Sequence, residues 1–355
     1  MTAGKRILIC PLNWGLGHAT RCIPIIQKLH QEGNTILIAS YGISGTLLQE
    51  EFPQLQHIYF RGLTMHYSKG NSQIARVILS TPSILYHSIK EHFTLKKLIK
   101  EHQIDIIISD NRFGLWHKQV TTAYISHQLL IKMPTGFRFL EKSIWKIHRR
   151  IIHHYTYCLI PDYQDTTKSL AGKLTHKYRL PKNAYFCNPL SRFHAQSSIV
   201  EENEMYASEV LVILSGLEPQ RTVLESLLIT QLKELNKRTI LIQGVPSKET
   251  IIRYEKNITI LPYLLHTELQ SYIRNTGIVI CRAGYSSIMD LVSMQKKAIL
   301  IPTPGQPEQE YLGKYLAQIG LFAVQQQASL SIQQGIADVK NTYIPNFEKS
   351  IKLPF

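Results

Sequence analysis

Asn13, Gly15, Gly17 and His18 stand close together near the start of this chain, inside the stretch from Arg6 to Arg21. Glycines at that spacing let a backbone run low. A helix N-terminus behind them would offer unpaired N–H groups and a positive dipole end, which suit an anion. His18 falls where a side chain would face a ligand at the same edge. Taken alone, this is a phosphate loop, although a Gly-x-Gly spacing also serves many α/β turns for steric reasons only. A second group, Gly284, Ser286 and Ser287, offers hydroxyls and N–H groups at another predicted helix start.

The first group needs a strand to end just before it and a helix to begin just after it. Ile7–Ile9 reads as a short, fully buried strand. Ala19–Leu29 reads as a helix, with Ile23, Ile26 and Leu29 on one face. At 355 residues and 44% hydrophobic content, the chain can bury more than one core, and two domains are expected. Residues 1–190 carry 24 Lys and Arg against 10 Asp and Glu, whereas the rest is nearly neutral with 16 against 15. A basic first half attracts anions of any kind: an anionic substrate, lipid head groups or nucleic acid. It also fits a merely soluble basic surface. The five cysteines, at 10, 22, 158, 187 and 281, form no CxxC pair and fit reduced thiols in a cytoplasm. No signal peptide is legible, and no apolar run approaches the ~18 residues of a membrane span.

Strands are expected at Thr35–Ser40, His57–Phe60, Ile104–Ser109, Ala123–Ser126 and Cys158–Pro161. Helices are expected at Ile43–Glu51, over 74–102 in two pieces broken near Pro82, and over Phe137–Tyr155. Residues 65–73 read as a loop. A polar segment, 191–208, reads as a linker. The pattern then restarts with strands at Val210–Leu214, Thr239–Gln243, Ile258–Leu261, Ile278–Cys281 and Ala298–Ile301. Helices are expected at Pro219–Leu235, Leu264–Arg274, from Ser287 to Met294, and at Gln309–Ile319. The expected organisation is an α/β acceptor domain over 1–190, the linker, an α/β domain over 209–330, and a weakly patterned tail over 331–355 that packs back on the first domain. Two parallel sheets of this kind would bring the C-terminal ends of their strands to a shared cleft.

Three motifs carry a family likeness. Residues 13–21 (Asn-Trp-Gly-Leu-Gly-His-Ala-Thr-Arg), residues 281–290 (Cys-Arg-Ala-Gly-Tyr-Ser-Ser-Ile-Met-Asp) and residues 302–311 (Pro-Thr-Pro-Gly-Gln-Pro-Glu-Gln-Glu-Tyr) resemble those of GT-B glycosyltransferases. The likeness is to glycosyltransferase family 28, which includes the peptidoglycan N-acetylglucosaminyltransferase, and covers most of the chain in order. It implies a two-domain GT-B fold of Rossmann-like halves, a nucleotide-sugar donor in the second domain, an acceptor in the first, and transfer without a metal or other cofactor.

Such transfer needs a base for the acceptor hydroxyl, stabilisation of the leaving diphosphate, and orientation of the sugar. His18 is the candidate base. In a sheet ordered 3-2-1-4-5, Asp110 ends the strand beside it and can fix its tautomer, as some GT-B enzymes do. The bland alternative is that both residues merely cap helices. For the diphosphate, Gly284, Ser286 and Ser287 are the better site, with Ser215, Gly216 and Arg221 adding donors and charge, and Arg282 inside the same motif. Gly15 and Gly17 become the low wall of the cleft, whose helix end meets the diphosphate when the domains close. Asp290 matches the family's ribose-binding carboxylate, although it is one methylene shorter, and fits a solvated first-turn acid as well. Gln309 and Glu310 fall where the family orients the sugar, and Tyr263 is a weak candidate for the base. Glu218 departs from the family's glycine-rich loop and would repel a diphosphate unless it points away. Arg21, Asn111, Arg112, His127 and Gln128 lie at strand ends and are candidates for the acceptor or for ordinary surface groups.

The leading expectation is therefore an inverting hexosyltransferase using a UDP-sugar, with UDP-N-acetylglucosamine the named candidate, on a lipid-linked or saccharide acceptor at the inner membrane face. The basic aromatic stretch with Phe137, Phe139, Lys142, Trp145, Lys146, Arg149 and Arg150 fits peripheral contact with an anionic membrane. It fits a core helix with a wet basic face slightly better. Two alternatives remain open: a UDP-sugar 2-epimerase of the same fold, and a non-enzymatic binder of anionic lipid or nucleic acid. No nucleic-acid signature is visible.

Overall fold

The computed structural model describes residues 4–62, 81–193, 206–216, 218–245 and 251–355. The expected loop at 65–73, the first piece of the helix at 74–80 and most of the expected linker lie outside the described residues. The chain forms two compact units. One takes the described residues up to Arg192 together with Lys349–Phe355, and the other takes those of Phe193–Glu348.

In the first unit the strands are β1 (Arg6–Pro11), β2 (Thr35–Ser40), β3 (Gln56–Tyr59), β4 (Ile106–Asp110), β5 (Thr121–Ile125), β6 (Tyr157–Ile160) and β7 (Ala184–Phe186). They form one parallel sheet in the order β3-β2-β1-β4-β5-β6-β7. β1, β2 and β4 are almost wholly buried, which is why they read as continuous Ile-Leu-Ile runs without alternation. Helices α1 (Leu16–Gln31), α2 (Gly42–Glu51), α3 (Thr81–His102), α4 (Glu141–Ile152) and the single turn α5 (Lys173–His176) connect them. The order reverses between β1 and β4, and Pro11 stands in register with Asp110. The turn into α1 and the end of β4 therefore share the strand-end edge where open α/β sheets bind ligands.

α1 begins three residues earlier than its apolar spacing predicts. Gly15 caps it at φ 126°, a conformation that an L side chain rarely adopts, so the glycine is needed there for the turn itself. The predicted helix over Phe137–Tyr155 resolves into a 3-10 turn, Thr135–Leu140, followed by α4.

The second unit repeats the plan. Its strands are β8 (Ser208–Ile213), β9 (Thr239–Ile242), β10 (Arg253–Glu255), β11 (Ile258–Leu261), β12 (Thr276–Cys281), β13 (Ala298–Leu300) and β14 (Ala323–Val324), in the order β10-β11-β9-β8-β12-β13-β14. All pair in parallel except β10, which folds back on β11 as an antiparallel edge. The helices are α6 (Gln220–Glu234), α7 (His266–Arg274), α8 (Tyr285–Ser293), α9 (Pro307–Gln318) and α10 (Ile332–Val339). Leu224, Leu228 and Leu232 give α6 a fully buried stripe against Val210, Val212 and Leu241, each side chain contributing about 1.5–3 kcal/mol by burial.

One boundary needs correcting. The segment from 331 is not all tail. Ser331 caps α10 through Gln334 N–H, and Ile332 and Val339 enter the core of the second unit. Only 349–355 joins the first unit, where Lys352 N–H donates to Cys187 O at 3.2 Å and Asn188 Nδ2 donates to Ser350 O at 2.9 Å.

Candidate functional site

In the first unit, α1 brings His18 and Arg21 onto one face, one turn apart, and β4 brings Asp110 to meet them. His18 Nδ1 lies 3.2 Å from Asp110 Oδ1. Arg21 Nε donates to Asp110 Oδ2 at 2.6 Å, and Arg21 Nη2 donates to Oδ1. Asp110 is fully buried and Arg21 nearly so, whereas the His18 side chain keeps 16% exposure. Only the imidazole of the three can therefore meet a ligand from solvent. Burial works to raise the Asp110 carboxyl, but the facing charges and hydrogen bonds of Arg21 and His18 outweigh it and hold the group below its ordinary value.

Arg21 Nη2 also lies 2.7 Å from His18 Nδ1. A guanidinium only donates, so this contact and an Nδ1–H donation to Asp110 exclude each other. With Nδ1–H on Asp110, the lone pair lies on His18 Nε2, which can then take a proton from a hydroxyl. With Arg21 donating to Nδ1, the proton sits on Nε2 and the ring is a donor instead.

The remaining first-unit candidates separate clearly. Arg21 is not a surface contact, because its guanidinium is committed to Asp110 and His18. Arg112 is buried as well: Nε and Nη2 donate to Glu91 Oε1 at 3.1 and 3.0 Å, and its guanidinium lies 4.2 Å from the Phe60 ring centroid. It ties α3 to β4, and Gly62 is small because a Cβ there would stand 2.4 Å from Glu91 Oε1. His127 is buried, and its carbonyl accepts from Thr175 Oγ1 at 2.6 Å. Gln128 is half-buried, with its N–H on Ser126 Oγ at 3.2 Å. Asn111 remains at the edge beside Asp110, at φ 57°. Its Oδ1 lies 2.6 Å from Tyr124 Oη, which lies 3.0 Å from His148 Nε2. Gly15 and Gly17 open α1, and the Gly17 carbonyl accepts from Thr20 Oγ1 at 3.1 Å.

In the second unit, α8 starts at the end of β12. Gly284 is its N-cap, with open space where a Cβ would stand. No acid lies in the first turn, so the N–H groups of Tyr285, Ser286 and Ser287 and the positive helix end suit an anion. Ser286 and Ser287 are half-buried, and Asp290 is nearly buried one turn beyond Ser286. Burial, and then the Asp290 charge, push the Cys281 thiol up to about 12.

The other candidate helix end is already filled. Glu218 Oε2 accepts from Thr222 Oγ1 at 2.8 Å and from Thr222 N–H at 3.3 Å. Arg221 Nε donates to Glu218 Oε1 at 2.7 Å, and Nη1 donates to Glu225 Oε2 at 2.8 Å. Arg221 is thus held between two carboxylates rather than offered to a ligand. Ser215 is half-buried, and Gly216 is exposed at φ 101° with nothing near its Cβ direction.

Arg282 is also not a surface contact. It is 1% exposed, and it donates to Gln327 Oε1 and Gln220 O, each at 2.7 Å, with Ile301 O and Pro302 O at 3.4 Å. Gln309 Oε1 accepts from Thr303 N–H at 2.9 Å, and Glu310 Oε1 accepts from Gly305 N–H at 2.9 Å, so both shape the loop before α9. Tyr263 follows β11 and is half-buried.

The sequence reading missed Glu91, the Tyr124–His148 pair, the role of Glu218 and the hub at Arg282. Glu218 left a signal in its spacing, three and four residues before Arg221 and Thr222. The other three depend on which elements pack together and left none. No group of His, Cys, Asp and Glu suited to a metal occurs among the described residues.

Residues 211–352 match the model of the glycosyltransferase family 28 C-terminal domain, and residues 5–128 match the model of glycosyl transferase family 1. An uncharacterized glycosyltransferase of Methanosarcina mazei is 24% identical over 328 residues, covering 86% of this chain and 81% of the relative. The UDP-N-acetylglucosamine–N-acetylmuramyl-(pentapeptide) pyrophosphoryl-undecaprenol N-acetylglucosamine transferase of a Sulfurihydrogenibium species is 21% identical, over 95% of this chain and 90% of its own length. Among solved structures, the spinosyn rhamnosyltransferase SpnG has a TM-score of 0.63 at 14% identity, over 94% of this chain and 91% of that one.

Proposed function

This chain is a glycosyltransferase of GT-B fold resembling family 28, and from that premise we propose that it moves a sugar from a UDP-sugar to an acceptor hydroxyl with inversion. His18 is the base and Asp110 fixes its tautomer. The acceptor O–H proton passes to His18 Nε2. The acceptor oxygen bonds to the anomeric carbon, and the bond from that carbon to the diphosphate breaks, releasing UDP. The observation that carries the base assignment is the buried Asp110 carboxylate set against a partly exposed imidazole.

The N-terminal end of α8, Gly284–Ser287, is the candidate seat of the diphosphate, and Asp290 that of the ribose. Support comes from its lack of a first-turn acid and from the family 28 match over the same residues. The relative from Sulfurihydrogenibium is named for UDP-N-acetylglucosamine and an undecaprenol-linked acceptor, and SpnG is known complexed with thymidine diphosphate. UDP-N-acetylglucosamine and a polyprenol-linked saccharide are therefore the first pair to assay.

A lipid-linked acceptor would suit a protein that rests on an anionic membrane. Among the described residues no helix is long and apolar enough to cross one. α3, however, exposes Leu85, Tyr86, Ile89 and Phe93, with Lys90, Lys96 and Lys97 on the same helix. Phe137 and Phe139 are exposed on the 3-10 turn before α4, whose outer face carries Lys142, Lys146 and Arg150. Apolar side chains ringed by lysine are what an anionic lipid surface holds.

The test is transfer of labelled sugar by the wild type and by His18→Ala. The variant should lose transfer and keep UDP binding nearly intact. Full activity in His18→Ala would overturn the base assignment. A product formed from donor alone, with no acceptor, would overturn transfer in favour of epimerisation.

A further inference from the structure

Arg282 is a buried guanidinium in the second unit for which no carboxylate partner occurs among the described residues. Three other guanidinium groups described above each meet an acid: Arg21 meets Asp110, Arg112 meets Glu91, and Arg221 meets Glu218 and Glu225. Arg282 instead meets four neutral oxygens. Nη2 donates to Gln220 O, and Nη1 donates to Gln327 Oε1, with Ile301 O and Pro302 O at longer range. Its Nε is buried with no hydrogen-bond partner.

A buried charge that is hydrogen-bonded but not neutralised is an unusual expense. Burial lowers its pKa only to about 10, so the side chain stays charged at neutral pH. Its position gives the charge a use. Arg282 follows β12 directly and stands two residues before the N-cap of α8. Its partners are the first residue of α6, the two residues that follow β13, and the 3-10 turn Gln327–Ser329. It thus joins the loops at three neighbouring strand ends and adds a full positive charge beneath them.

We propose that Arg282 is a positioning residue for the donor: it does not touch the diphosphate, but its unneutralised charge reinforces the α8 helix end that holds it. This rests on the donor reading of Gly284–Ser287. A unit charge acting over roughly 8–10 Å through an effective dielectric of about 20 changes the affinity for an anion by about tenfold to thirtyfold. A ligand without phosphate gains nothing from it.

Gln327→Glu tests this while keeping the acceptor on Arg282; it removes one long hydrogen bond, from Gln327 Nε2 to Gln220 Oε1 at 3.4 Å, which the Gln220 amide can restore by turning over to donate. The new carboxylate takes the same place on Arg282 Nη1, 2.7 Å away, and neutralises it. UDP and uridine are titrated calorimetrically into wild type, Gln327→Glu, Arg282→Lys and Arg282→Met. Gln327→Glu should weaken UDP about tenfold or more, leave uridine unchanged and leave the melting temperature equal or higher. Arg282→Lys keeps the charge and should keep the preference for UDP over uridine even as stability falls. Arg282→Met should lose that preference. If Gln327→Glu binds UDP as the wild type does, or if UDP and uridine weaken together in every variant, Arg282 is only a structural tie and the proposal fails. If the wild type itself prefers UDP no more than uridine, the donor reading fails, and this proposal with it.

Discussion

Asp110→Asn separates catalysis from stability at one atom pair. The carboxylate is fully buried, receives two N–H groups from Arg21 and lies beside His18 Nδ1. Asparagine has the same shape but only one acceptor atom. If its amide nitrogen takes the Oδ1 place, it donates to His18 Nδ1 and moves the ring proton to Nε2, which removes the proposed base. The same change in a serine-protease triad costs about 10⁴ in rate through the wrong tautomer, and a loss of about 10³–10⁴ in transfer is expected here. Arg21 is left as a buried cation without its counter-charge, which costs about 3–5 kcal/mol. Transfer at saturating donor gives the first number and urea unfolding the second. The double variant Arg21→Met with Asp110→Asn removes the stranded charge. It should regain most of the stability and none of the activity. Single-variant transfer within about fivefold of wild type, or activity that returns together with stability in the double variant, would refute the reasoning.

Other predictions follow from the same geometry. Burial holds His148 neutral, with its pKa lowered to about 4 against an ordinary 6.5. The unfolded state thus binds the extra proton first, and stability should fall by about 3 kcal/mol as pH drops from 6.5 to 4. His148→Gln should flatten that slope in pH-dependent urea melts. Asp110, held below its ordinary 3.8, contributes stability that is complete above that value and lost as pH falls below it, so acid unfolding of Asp110→Asn should lack this component. Glu91→Gln should destabilise the first unit by about 3–5 kcal/mol, because Arg112 loses its counter-charge, while UDP affinity measured by calorimetry stays the same. Leu85→Glu with Phe93→Glu should reduce sedimentation with vesicles containing phosphatidylglycerol by about tenfold or more, with transfer to a water-soluble acceptor unchanged.

The sheet at the centre of each unit was legible because β1, β2, β4 and β12 are buried on both faces and carry the apolar runs that this demands. β7, β10 and β14 were not. They are two- to three-residue edge strands whose existence depends on the neighbour they pair with. α10 was missed because Ile332 and Val339 gain their meaning only against Ile299 and Ala323 of the second core. At the site, the pairing of His18 with Asp110 followed from strand order alone, since both sit at strand or helix ends flanking the reversal. Arg112 and Arg282 follow strand ends and Arg21 lies in α1, and an arginine in such a place looks the same in sequence whether its guanidinium faces water or a buried acceptor. Only the packed acceptors, Asp110, Glu91 and the Gln220 carbonyl, decide between these.

Residues 349–355 give the chain a particular order of manufacture. They bond to Cys187 and Asn188 and bring Phe355 within 6.1 Å of the Tyr157 ring, all in the first unit. The ribosome makes them only after the whole second unit. The unit begun first is therefore finished last, and a nascent chain stalled between 193 and 348 carries an N-terminal half without its final seven residues. A clone ending near 192 would produce the same unfinished body, so the first unit expressed by itself should need Lys349–Phe355 supplied as a peptide or grafted after Arg192.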